Sequence, residues 1–221
     1  MVMYLRIIYI FLISLFIDAC SDSQADKLDS KSIKEQMDER KIHRVKPADI
    51  LNQTATTGKL IINKINKKYI ENIKDQIQSK SFEESIKQCN INLPIKDSLQ
   101  KYLMGKIKRL SLKGKLPPHL NKKEIEMWDA YRYNVENKIP IKENSQHLGD
   151  SLMLYTSGII INDQVCLKCH GNIEKDISIN NFKILKKSFP QMDSLVNYKM
   201  NDAIGIWSLL IDKKSIIKKI R

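Results

Sequence analysis

The apolar positions of this chain change period along its length. Ile62, Ile65, Tyr69, Ile73 and Ile77 recur at spacings of three and four, which puts them on one stripe of a long helix. Pro47 opens that helix, since a first turn does not use the N–H that proline lacks. Phe82, Ile86 and Cys89 predict a second helix over 82–89. Ile95, Leu99, Tyr102 and Leu103 predict a third, starting near Pro94. The stretch 106–112 has the length of a short strand, and Gly114 with Pro117-Pro118 breaks the chain after it. Asn121 and Glu124 form an N-cap pair that opens a helix through Trp128 to about Glu136.

The period then falls to two. Residues 145–148 and 151–161 read as strands around Gly149-Asp150, a hairpin turn. A helix over 182–189 ends at Pro190, 204–211 is an apolar run of strand length, and 213–221 is a short basic amphipathic piece. Helices come first and an antiparallel sheet follows, which predicts an α+β fold with an N-terminal helical segment.

The first 50 residues have a different character. Arg6 precedes an apolar run over 7–17, too short for a typical membrane span and suited to an export signal. Ile17-Asp18-Ala19-Cys20 is similar to a lipobox, so Cys20 is expected to be lipidated and to tether the protein to a membrane leaflet by acyl chains. The division expected is a signal peptide over 1–19, a polar tether over 20–47 with helix around 32–42, and a folded domain over 48–221. Residues 1–50 carry eight Lys/Arg against eight Asp/Glu, so the net charge of +13 lies beyond them. A hydrophobic share of 42% is enough for a real core. The basic surface suits an acidic partner or anionic lipid. Export argues against nucleic acid as a partner, and places the protein on the periplasmic side of a bacterial membrane.

Cys166-Leu167-Lys168-Cys169-His170 is a C-x-x-C-H run, the attachment signature of c-type haem. Two thiols at this spacing can each add to a vinyl group of one porphyrin, and the adjacent imidazole reaches the iron as an axial ligand. A zinc site would want a second ligand pair at zinc-like spacing, and none stands in the sequence. A thioredoxin-like dithiol would want a βαβ context, which is absent. One covalent haem c per chain is therefore expected on Cys166, Cys169 and His170.

From about residue 55 to 211 the chain resembles a family of periplasmic mono-haem c-type domains with a PAS-like fold, which stand alone or serve as input domains of histidine kinases. The anchors, in order, are Ser85-Ile86-Lys87-Gln88-Cys89, Arg109-Leu110-Ser111-Leu112-Lys113, Trp128, the haem motif with Gly171, Phe189-Pro190, Tyr198-Lys199, and Gly205-Ile206-Trp207-Ser208. Three positions depart from the family's pattern. Asn197 and Asn201 replace glycines, and Ile204 stands where an Arg often precedes the closing strand, which removes one possible propionate partner. The resemblance implies a PAS-like antiparallel sheet and a Cys close to the haem at position 89.

Cys89 has two readings: a buried small apolar residue, or the iron ligand opposite His170. As a ligand its thiolate would lower the reduction potential. His119, His147 and His43 are rivals expected to be exposed, and Met104, Met127 and Met153 are expected in the core. Trp128 and Trp207 are expected to fill cores. Arg109, Lys113 and Lys115 are candidates for propionate contacts or are simply solvated. No triad order, phosphate-binding loop or paired carboxylates point to an enzyme. The functions expected are electron transfer or redox sensing with an unidentified redox or signalling partner protein. The alternatives are a haem-based sensor of a gas or small ligand, and a scaffold lipoprotein without haem.

Overall fold

The computed structural model of the chain describes residues 30–39, 45–87, 94–114, 116 and 118–220. Ser30–Glu39 forms a helix, α1, within the expected tether. A separate compact unit starts at Val45. Its helices are α2 (Pro47–Ser79), α3 (Phe82–Lys87), α4 (Pro94–Leu103), α5 (Lys122–Glu136), α6 (Gln164–His170), α7 (Ile179–Ser188) and α8 (Lys213–Ile217). Its strands are β1 (Lys106–Ser111), β2 (Asn144–Leu148), β3 (Leu152–Ile160) and β4 (Ala203–Asp212). The strands form one antiparallel sheet in the order β1-β4-β3-β2. The α+β expectation holds at this level. Among the described residues no helix is long and apolar enough to cross a membrane.

Both faces of the sheet are covered. Ile61, Ile62 and Ile65 of α2 pack with Ile107, Tyr155, Trp207 and Leu209 on one face. Trp128 and Tyr131 of α5 pack with Leu110 and Ile206 on the other. Double coverage explains why β4 reads as a continuous apolar run, where a strand with one wet face would alternate. At the crossing of α2 with the sheet sits Gly58. A Cβ there would fall 2.3 Å from the Tyr155 ring, so only glycine lets the helix approach this closely. Glycine inside a helix costs about 1 kcal/mol relative to alanine, and close packing on Tyr155 is what offsets it.

On the α5 face lies a buried carboxylate. Glu124 completes a capping box with Asn121. It also accepts from Lys108 Nζ at 2.7 Å and from Ser208 Oγ at 2.7 Å. A local N-cap signal in the sequence is thus also a clamp between the start of α5 and strands β1 and β4.

Some expectations shift. The second helix ends at Lys87, and Cys89 lies outside the described residues. Met104, expected in the core, is 57% exposed. It follows the last turn of α4 at φ 47°, and the left-handed turn carries its side chain outward. Tyr102 is exposed as well, because Leu99 and Leu103, four apart, take the buried stripe of α4. Helix α7 starts at Ile179, ahead of the expected 182, because Ser178 caps it by accepting from Asn181 N.

Candidate functional site

The C-x-x-C-H run folds as α6. Asp163 caps it, with its Oδ1 accepting from Val165 N at 3.0 Å, while its Oδ2 accepts from Lys74 Nζ of α2 at 2.6 Å. Both contacts hold the Asp163 carboxyl below its ordinary range. Cys166, Cys169 and His170 stand at i, i+3 and i+4, hence on one face of the helix. All three line a cavity of about 320 Å³. Cys169 is buried and Cys166 half-buried; neither is in a disulfide. Burial pushes the Cys166 thiol up, keeping it protonated at neutral pH. The helix stops at Gly171, where a Cβ would meet Leu167 O and Asp176 Cβ, each at 2.6 Å.

His170 is held in one tautomer. Its Nδ1 lies 2.8 Å from Leu195 O. A carbonyl only accepts, so Nδ1 carries the proton and Nε2 keeps its lone pair. Burial lowers the imidazole pKa, the Leu195 carbonyl opposes that shift, and the Arg109 charge adds to the lowering. The Tyr198 ring stands edge-on to the imidazole, centroids 6.5 Å apart. Tyr198 N donates to His170 O at 3.0 Å, and Asn197 N to Gly171 O at 2.9 Å. The Tyr198 hydroxyl is buried without a partner among the described residues, and burial pushes its pKa up to about 12.

The two departures at glycine positions have a physical account. Asn197 sits at φ 64° and Asn201 at φ 71°. Both need the left-handed region, and asparagine is among the few side-chain-bearing residues that tolerate it.

The rest of the cavity wall is mostly apolar. Tyr69, Ile70 and Ile73 come from α2, Ile204 and Trp207 from β4, and Leu185, Phe189 and Met192 from the segment after α6. Arg109 lines it too, its guanidinium 5.3 Å from the centroid of the Tyr69 ring. Lys113 is not on this wall; its Nζ stands 4.0 Å from the centroid of the Tyr198 ring. Ile204, the third departure from the family's pattern, is apolar cavity wall. His119 is exposed, His147 half-buried on β2, Met127 half-buried and Met153 fully buried. Trp128 fills the α5 side of the sheet, while Trp207 serves both core and cavity wall. Cys20, His43, Cys89 and Lys115 lie outside the described residues.

Among the described residues no three His, Cys, Asp or Glu side chains are gathered so as to hold one metal ion. Among the described residues the C-x-x-C-H donors line a cavity wall. What they form is one reactive face, two thiols and an imidazole nitrogen, turned to an apolar cavity. Two parts of this site were not visible in the sequence. The Leu195 carbonyl is backbone and leaves no residue signal. Asn66, also on the wall, lies one position off the apolar stripe and so reads as solvated surface.

A solved structure similar to this chain is that of the cyanobacterial heme-protein Tll0287, at 13% identity, with 76% of this chain and 97% of that one covered and a TM-score of 0.43. No curated protein matches. The model of the Tll0287-like family matches residues 25–211, most of the chain's length, and the chain belongs to that family.

Proposed function

We propose that this protein is an exported, membrane-anchored mono-haem c-type cytochrome that transfers electrons or senses redox state. The observation that carries the reading is the single face of α6. There Cys166, Cys169 and the unprotonated Nε2 of His170 meet one apolar cavity. The residues fit the group: two thiols, each outside any disulfide, and a neutral imidazole whose other nitrogen is already used. The heme-protein Tll0287, whose family this chain shares, supports the same cofactor. A PAS-like fold is part of the proposal, supported by the antiparallel sheet with helices on both faces.

Bound there, haem would supply a one-electron iron couple. The chain's own residues do the rest. Cys166 and Cys169 would hold it, each thiol adding across a vinyl group with its hydrogen going to the vinyl carbon. The Leu195 carbonyl fixes the tautomer and orientation of His170, which raises the basicity of Nε2. Ile70, Ile73, Leu185 and Phe189 line the cavity and would keep water from the group. Arg109 is the cation of the wall and the partner proposed for a propionate. Cys89 is proposed as a further residue that would hold the iron, as the resemblance implies.

The test is spectroscopic, on protein matured with a haem c assembly system. The reduced wild type should keep its Soret band under CO, and Cys89→Ser should turn the ferric iron high-spin or admit another ligand, raising the potential. Rapid CO binding by the wild type would favour a gas sensor. Unchanged spectra in Cys89→Ser would return that cysteine to the core. Absence of a haem spectrum would leave only a scaffold.

Anchoring through Cys20 is proposed from the apolar run and the Ile17-Asp18-Ala19-Cys20 segment. A fatty-acid probe should label the wild type and leave Cys20→Ser blank. An unlabelled wild type would refute the anchor, and Asp18 would be the first residue to suspect.

A further inference from the structure

One polar group in the cavity wall has no role in the reading above. Asn66 of α2 accepts from Trp207 Nε1 at 3.0 Å. An indole nitrogen only donates, so the Asn66 atom facing it must be Oδ1. Trp207 is buried and pinned in the sheet, so the amide is fixed. Its NH2 branch is turned away from the indole, and among the described residues Nδ2 has no acceptor. Asn66 lines the same cavity as the thiols.

A cation stands beside it. Arg109 is the direct cross-strand partner of Trp207, so both side chains leave the same face of the sheet. Its guanidinium lies against Tyr69, one turn beyond Asn66 on α2. A neutral N–H donor and a guanidinium thus share one corner of a wall that is otherwise largely apolar. A neutral N–H donor beside a guanidinium matches a carboxylate.

We infer that Asn66 and Arg109 form a carboxylate-binding corner of the cavity, with Trp207 as the residue that orients the Asn66 amide. The carboxylate is either a propionate of the proposed haem, in which case the inference rests on that reading, or a small free carboxylate.

The decisive variant is Asn66→Asp. It keeps an oxygen for Trp207 Nε1 and replaces only the free donor by an acceptor, so it spares the structural bond and inverts the function. Two readouts separate the sources. In the matured protein, the propionate bending bands of the resonance Raman spectrum should shift in Asn66→Asp and in Arg109→Gln if the haem supplies the carboxylate. Titration with sodium propionate, followed by tryptophan fluorescence on the chain as purified, should saturate in the wild type if the occupant is free. Both variants should then bind at least about tenfold more weakly, the loss expected for one charge-assisted bond. The titration reads the corner even if no haem is attached, so failure of the haem reading and failure of this inference are distinct results. Arg109→Gln, at an exposed position, keeps the test open if Asn66→Asp does not fold. Unshifted bands together with a wild type that binds no propionate would overturn the inference.

Discussion

Replacing Cys166 and Cys169 together by alanine is expected to remove all covalently held haem. Acidified organic solvent should then extract the porphyrin completely, whereas the wild-type polypeptide should keep one haem of added mass. The two thiols stand on one helical face and line the same cavity, so on the proposed reading each would reach the same porphyrin, and either alone should still hold it by a single bond. Single variants are therefore expected to retain the added mass, and the double variant to lose it. His170 survives in the double variant, held by Leu195 O, so weak, extractable haem with a shifted spectrum is the expected residue of binding. Cys169 packs with Ile86, Ile177 and Leu185, so its truncation also costs on the order of 1 kcal/mol in packing. Circular dichroism on the double variant separates lost attachment from lost fold. Haem that resists extraction from the double variant would refute attachment through this motif.

Much of the fold was legible because its signals are local. The stripe from Ile62 to Ile77, the Asn121–Glu124 cap and the Gly149-Asp150 turn each specify their element from a few residues, and α2, α5 and the β2–β3 hairpin follow them. Element ends were less legible. Ser178 starts α7 three residues before the apolar pattern, and Met104 leaves the core through a backbone turn that no apolar count reveals. The candidate site divides the same way. Cys166, Cys169 and His170 fall within one short motif, so sequence alone groups them, while Arg109 is there only a candidate for a propionate contact or for plain solvation. The sequence gives no sign that Asn66 meets Trp207, 141 positions away, or that the Leu195 carbonyl holds His170. Such pairs exist only once α2 is laid on the sheet and the chain after α6 has turned back. The stripe marks one face of α2 along its length. In the fold its first half packs on the sheet, while Tyr69 and Ile73 go on to line the cavity.

Away from the cavity, Glu124→Ala is expected to be strongly destabilising where α5 meets the sheet. The Glu124 side chain is fully buried, and its Lys108 partner is only a quarter exposed. Truncation strands several groups at once. Lys108 Nζ loses its carboxylate, Ser208 Oγ its acceptor in the interior, and Asn121 N and Nδ2 theirs at the start of α5. Removing one partner of a buried pair costs about 3–5 kcal/mol, and losing the cap contact adds to the same side. Surface pairs such as Lys123–Glu126 contribute far less, typically under about 1 kcal/mol, because water screens them. The measurement is urea denaturation followed by circular dichroism, in which the midpoint should fall while the slope is unchanged. Glu124→Gln should lose less, since its carbonyl can still accept from Ser208 and its volume is kept, while Lys108 can turn toward water. If the alanine variant lost less than about 1 kcal/mol, within the range of an ordinary exposed pair, Glu124 would be no more than a helix cap, and the clamp between α5 and the sheet would have to come from Trp128 and Tyr131 alone.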